Sequence, residues 1–191
     1  MDTLSYVAFL RGINVGGNKK VDMGELKKAF ESLGCHHVRT ILNTGNVVFM
    51  SHEHDSALLT KDIEKELEKK FGFFIPTIVR LHLEICLLVK EQPFRSTTVT
   101  PQTRLYVTFF SESSKLPSLY ISSEKDFQIL RVSRGVALSV LTVSKNRGTT
   151  DVMKILEREF GLPLFGQAGE AGLKITTRNW NTIVKIAEIH V

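Results

Sequence analysis

The chain has 191 residues, 42% of them apolar and 24% charged, an ordinary globular composition that excludes disordered and fibrous classes. Its formal net charge is +5 and its pI is near 9.2, a mildly basic balance that permits anionic partners without requiring them. The length suits one large domain or two small ones.

The longest apolar stretches are strand-sized, far short of the ~20 residues of a membrane span, so no membrane association is expected. Asp2 precedes the first apolar run, and neither a basic leader nor a small-residue cleavage site is seen, so no signal peptide is expected. Cys35 and Cys86 are the only cysteines and have no paired spacing, which fits a reduced, cytoplasmic protein.

YVAFLRGINV opens as an apolar run of strand length, and Gly16-Gly17-Asn18 ends it. DMGELKKAFESLG predicts a helix: Asp22 with Glu25 forms a capping box, Met23, Leu26, Ala29, Phe30 and Leu33 share a face, and Gly34 stops it. HVRTILNTGNVVFMS predicts a hairpin turning at Asn43-Thr44-Gly45-Asn46. ALLTKDIEKELEKKFG predicts a second helix, with Leu59, Ile63, Leu67 and Phe71 stepping by four. FIPTIVRL reads as a fourth strand whose Pro76 suits an edge or a strand entry. This is the β-α-β-β-α-β order of the ferredoxin-like split βαβ unit.

LEICLLVKEQPF reads as a connecting helix closed by Pro93. The second half loosely repeats the pattern. RLYVTFF is a strand, SESSKLPSLYISSEKD is weakly helical or irregular, and FQILRVSRGVALSVLTV makes two strands around Ser133-Arg134-Gly135. TTDVMKILEREFG is a helix opening at Thr149 or Thr150 and closing at Gly161. The glycine-rich PLFGQAGEAGL then leads to a last strand, LKITTRN, and a last helix capped by Asn179 or Asn181. The expected fold is α+β: two tandem ferredoxin-like (split β-α-β) subdomains with mainly antiparallel sheets. The expected division is residues 1–82, a connecting helix at 83–95, and 96–191.

Chemistry-bearing motifs are sparse. LRGINVGGNKKV places an arginine and glycines on a strand-to-helix loop, where backbone N–H groups and a guanidinium can meet an anion. Neither GxGxxG nor GxxxxGK[ST] is present. Asn46 on the hairpin and the TTRNWN stretch, with Arg178 and Asn179, add polar groups, while Trp180 continues an apolar face and reads as core. His52-Glu53-His54-Asp55 offers metal-capable atoms at no known site spacing, and Cys35-His36-His37 reads as a structural thiol. His82 and Cys86, four apart, reflect face packing. No metal, cofactor or catalytic residue is assigned. RNA-recognition modules share the element order and stack bases on sheet aromatics; Tyr6, Phe9 and Phe49 lie on central strands here, but the RNP signature is missing.

YVAFLRGINVGGNKKVDMGELKKAFESLG, VRTILNTGNVVF and TTRNWNTIVKIAEI together resemble domain-of-unknown-function family 1697, from about Tyr6 to Ile189. The resemblance implies a bacterial, cytosolic α+β protein of two subdomains, the first ferredoxin-like, in a family without an established activity. It also implies that Arg11, Gly12, Asn14, Gly16, Gly17, Gly45-Asn46 and Arg178-Asn179-Trp180 are signature positions that converge on one pocket. The chain departs from the pattern where RGTTDVMK replaces a Ser-Lys-Leu helix opening, and where PLFGQAGEAGL is longer than the usual link.

The leading expectation is a cytoplasmic module binding an anionic ligand, a nucleotide or nucleic acid, through Arg11, Asn14, Gly16, Gly17, Asn46, Arg178 and Asn179. One rival is an enzyme acting on a phosphorylated small molecule, with Asp22, Glu25 or a histidine as base. The other is a protein-interaction or structural role. The sequence sets no oligomeric state.

Overall fold

The computed structural model describes residues 2–15, 19–111, 116–143, 152–161 and 174–190. The predicted site residues Gly16 and Gly17, the helix opening at Thr149 or Thr150, and the glycine-rich 163–173 stretch lie outside the described residues. The chain divides into two compact units, Met1–Lys90 with Val184–Val191, and Glu91–Ile183. The described residues form an α+β protein with two antiparallel sheets and five helices.

The first unit runs β1 (Leu4–Leu10), α1 (Met23–Ser32), β2 (His36–Ile41), β3 (Asn46–Ser51), α2 (Ser56–Phe71), β4 (Thr77–Leu81) and α3 (His82–Lys90). Its sheet has the order β2-β3-β1-β4, so β4, entered from Pro76, lies at an edge as expected. Strand alternation sends Tyr6, Ala8, Leu10, Val47 and Phe49 to one face, against Leu26, Ala29 and Phe30 of α1 and Leu59, Ile63 and Leu67 of α2. Val7, Phe9 and Val48 alternate to the other face and are fully buried too, where α3 packs on β1 and β4. Burial on both faces is why β1 reads as an unbroken apolar run. It also removes Tyr6, Phe9 and Phe49 from any base-stacking role, since none is more than 1% exposed.

The helix ends follow local chemistry. Asp22 Oδ1 accepts from Glu25 N–H at 2.9 Å to start α1, and Asp55 accepts from Ala57 and Leu58 to start α2. Gly72, at φ 77°, donates to the Glu68 carbonyl and ends α2. The capping box at α1 is only half made. The Glu25 carboxylate turns instead to Lys28 at 2.7 Å and to Lys70 of α2 at 2.8 Å, joining the two helices.

The second unit contains β5 (Thr103–Phe110), β6 (Tyr120–Ile121), β7 (Phe127–Ser133), β8 (Val136–Thr142), α4 (Val152–Phe160) and β9 (Ile175–Asn179), followed by α5 (Trp180–Ala187), within which the division between units falls. Its sheet order is β6-β7-β8-β5-β9. Without β6, the order β7-β8-β5-β9 repeats the β2-β3-β1-β4 of the first unit, strand for strand. Where the first unit has α1, the described residues here contain the two-residue edge strand β6. In the described part of the stretch predicted as weakly helical or irregular, Leu116 is buried in the core and Tyr120 packs against it, while Leu119 and Ile121 are exposed. Arg134 (φ 49°) and Gly135 (φ 72°) both take left-handed angles, which makes the tight β7–β8 turn the sequence marked. Phe110, Phe127, Ile129, Ala137, Leu141 and Ile175 pack with Val152, Ile155 and Leu156 of α4. Among the described residues no helix is long and apolar enough to cross a membrane.

The Glu25 pairing yields a pH-dependent prediction. Hydrogen bonds from Lys28 and then Lys70 hold the Glu25 carboxyl down at about 2, below its usual 4.5. A depressed folded-state pKa stabilises the fold above the unfolded value and loses that contribution as pH falls through the folded one. Glu25→Gln should therefore melt below the parent at pH 7 in low salt. The gap should narrow steadily from about pH 4.5 towards about 2, and shrink at about 1 M salt because the pair is exposed. Parallel thermal melts across pH and salt would check it.

Candidate functional site

The loop leaving β1 is built by interlocking two of the polar motifs. Leu10 N–H donates to the Gly45 carbonyl at 2.8 Å, and Arg11 N–H donates to the Pro76 carbonyl at 2.9 Å. Gly45 sits at φ 77°, and a Cβ there would meet Leu10 Cβ at 2.8 Å and Ile13 Cδ1 at 3.1 Å. Only glycine fits on both grounds. Ile13 is buried and anchors the loop in the core.

Asn14, at φ 55°, closes the loop with its side chain. Its Oδ1 accepts from Val21 N–H at 2.8 Å, and its Nδ2 donates to the carbonyls of Val21 at 3.0 Å and Asn43 at 3.1 Å. One amide thus pins both ends of the loop and ties it to the hairpin turn. Asn46 is fully buried, and its Nδ2 donates to the Ile41 carbonyl and Thr44 Oγ1, both at 3.0 Å. The side-chain N–H groups of Asn14 and Asn46, two of the three predicted asparagines, are therefore engaged in holding loops.

The charged groups are displayed differently. Arg11 is half-buried at the loop's start, and Lys19 and Lys20 are exposed at its end. Lys19 lies at φ 48°, with Nζ 3.5 Å from the Phe74 carbonyl and 5.4 Å from the Phe73 ring centroid. These two lysines belong to the motif but not to the predicted site. Asp22 occupies the N-terminus of α1, so that end of the helix is filled by its own carboxylate.

Arg178 and Asn179 lie in the second unit, on β9. Arg178 Nη1 donates to Thr176 Oγ1 at 2.7 Å and to the Thr177 carbonyl at 3.0 Å. Burial pushes its pKa down to about 10, which leaves it cationic at neutral pH. Asn179 Oδ1 accepts from Asn181 N–H at 2.9 Å, so Asn179 is the cap of α5. The Trp180 ring packs edge-on against Phe94 at 5.1 Å, as a core residue would. The structure therefore brings Arg11, Asn14 and Asn46 together in the first unit and sets Arg178 beside Asn179 in the second.

The nucleophile and base candidates are occupied. Burial pushes the Cys35 thiol up to about 11, so it is not a thiolate at neutral pH. His82 Nε2 lies 2.9 Å from the Ile186 carbonyl oxygen, and Cys86 Sγ lies 3.7 Å from that of Ala187, so both face the last carbonyls of α5. Buried Glu64 accepts from Thr77 N–H at 2.8 Å. The His36 and His52 rings meet edge-on at 5.8 Å. Among the described residues, no three His, Cys, Asp or Glu side chains are placed to hold a metal ion. Gly45→Ala should lower stability by about 2–4 kcal/mol, combining a left-handed alanine with overpacking against Leu10. Asn14→Ala should cost about 1–3 kcal/mol by leaving the part-buried N–H and carbonyl of Val21 unpaired. Urea unfolding of both variants checks these values.

The comparisons with known proteins bear on the same stretches. Residues 4–133 match the family described as Protein of unknown function (DUF1697). Among curated proteins, none matches the chain. The fold is similar to that of the conserved bacterial protein SP0830 from Streptococcus pneumoniae, with a TM-score of 0.67, 22% sequence identity and 98% of each chain covered. At that identity the likeness speaks for the fold alone. With the family pattern spanning β1 through β7, including both interlocked motifs, the chain belongs to the protein family of unknown function DUF1697.

Proposed function

We propose that the chain binds an anionic ligand, a nucleotide or the phosphates of a nucleic acid, on the loop between β1 and α1. One observation carries this reading. The stretch from Leu10 to Val21 holds three cations, Arg11, Lys19 and Lys20, and no acid, on a loop pinned at both ends by the Asn14 amide. A cationic loop fixed before binding loses little conformational entropy when an anion arrives. Arg11 offers a bidentate fork and the lysines supply point charges. Asn14, Gly45 and Asn46 act as positioning residues, and the backbone access expected of Gly16 and Gly17 falls outside the described residues. Arg178, cationic and held by Thr176, is the second unit's own candidate contact, with Asn179 as the cap beside it.

The enzyme reading draws less support. Glu25 is held near 2 and is a weak base, Asp22 caps a helix, and Cys35 is protonated. The structural reading is favoured by one specific fact, the use of both asparagine amides inside the loops. We further infer that each unit is a ferredoxin-like split β-α-β sheet, supported by the shared strand order. A cytoplasmic location is supported by Cys35 and Cys86 both being free thiols.

Fluorescence polarisation with labelled single-stranded RNA, duplex DNA and ATP, at about 50 and 200 mM salt, tests the binding reading. Contact with several phosphates should cost orders of magnitude in affinity across that range. Arg11→Ala and Lys19→Ala/Lys20→Ala should weaken binding while the protein stays folded in a thermal melt. Parent and variants binding alike, or the variants unfolding, would hand these positions to the structural reading.

A further inference from the structure

The second unit holds a cleft of about 580 Å³, within the range of small-molecule sites. It lies on the face of the sheet opposite α4. Ala137 and Leu141 of β8 point to the α4 core, while Leu138, Val140 and Thr142 alternate to the cleft, with Gln128 of β7 opposite Val140. The segment from Pro93 to Thr103 forms the wall.

A β-bulge decides the chemistry of this cleft. Ile129 pairs with Ser139 and Arg131 with Leu138, so Leu130 is an extra residue in β7. Strict alternation from Phe127 and Ile129, both in the α4 core, would send Arg131 into that core. The inserted residue turns it to the cleft face instead, where it stands opposite Leu138 and lines the cleft. Among the described residues, Arg131 is the only ionisable side chain in the lining, and it pairs at 2.7 Å with Glu91, outside it. Both partners are about half exposed, so the pair is weak and exchangeable. Among the described residues, the side chains of Ser96, Thr97, Gln128 and Thr142 make no hydrogen bond to protein, and Leu130, Leu138 and Val140 supply apolar area.

We propose that this cleft is a binding site for a nucleoside monophosphate, independent of the loop in the first unit. One guanidinium matches one phosphate. The Gln128 carboxamide both donates and accepts, as the edge of a base requires. The leucines and Val140 take the flat faces, and the free hydroxyls meet the ribose. Glu91 competes with the phosphate for Arg131, so removing its charge favours the ligand.

The test is a titration of the full chain with adenosine 5′-monophosphate, followed by amide chemical shifts and calorimetry, with adenosine and inorganic phosphate as separate probes. Saturable shifts are expected at Gln128, Arg131, Leu138 and Val140. Arg131→Gln should weaken binding about tenfold or more and Glu91→Gln should tighten it several-fold, both read from the shifts of the cleft residues. Opposite effects of the two charge-neutral variants are the signature, since a merely structural ion pair loses the same bond in both. No saturable shift, shifts confined to the first unit, or equal affinity in all variants would overturn the proposal. Saturation of the cleft by inorganic phosphate as tightly as by the nucleotide would reduce it to a simple anion site and overturn the nucleoside assignment.

Discussion

The close approach of Gly45 to Leu10 governs the first unit. At that point a turn carbonyl bonds the last N–H of β1 where no Cβ has room, so β1 stops there and the chain must leave the sheet. The path of the loop depends on it: Ile13 drops into the core, the Asn14 amide takes over as hydrogen-bond partner for Val21, and the chain re-enters at the right place for Asp22 to start α1. Because β1 lies between β3 and β4 and is buried on both faces, an error at its end would propagate to three strands and two helix layers.

That constraint separates polar residues that hold from polar residues that show. Asn14 and Asn46 commit their N–H groups to backbone and hydroxyl acceptors, which is the ordinary fate of a buried amide. The neighbouring cations are held through their backbones, Arg11 N–H donating to the Pro76 carbonyl and the Lys19 carbonyl accepting from Asn14 N–H, and Lys19 Nζ also reaches the Phe74 carbonyl. A motif that looks like one ligand-binding signature in sequence is thus composite: its asparagines and Gly45 set the geometry, and its basic residues carry the charge.

The second unit reuses the strand order with different details. Its left-handed Arg134-Gly135 pair makes the tight turn between β7 and β8, and the bulge at Leu130 breaks the alternation of β7. The bulge keeps a guanidinium out of the α4 core, where an unpaired charge would be costly, and places it on the cleft face beside hydroxyls. Burial and chemistry are met by a single inserted residue.

The sequence by itself determined the elements of the first unit, the Asp22 cap of α1, and both hairpin turns, because period, capping and left-handed turn residues act over a few neighbouring positions. Asp22, Leu59-Ile63-Leu67 and Ser133-Arg134-Gly135 each announce themselves locally. It also carried the family, through RGINVGG and TRNWN. Only the tertiary structure decided that Asn14 reaches Asn43, that Gly45 is crowded by Leu10, that the Glu25 carboxylate leaves its own cap for Lys70, and that Arg131 faces the cleft. Each of these rests on contacts between segments distant in sequence, or on a register shift of one residue, and neither leaves a periodic trace along the chain.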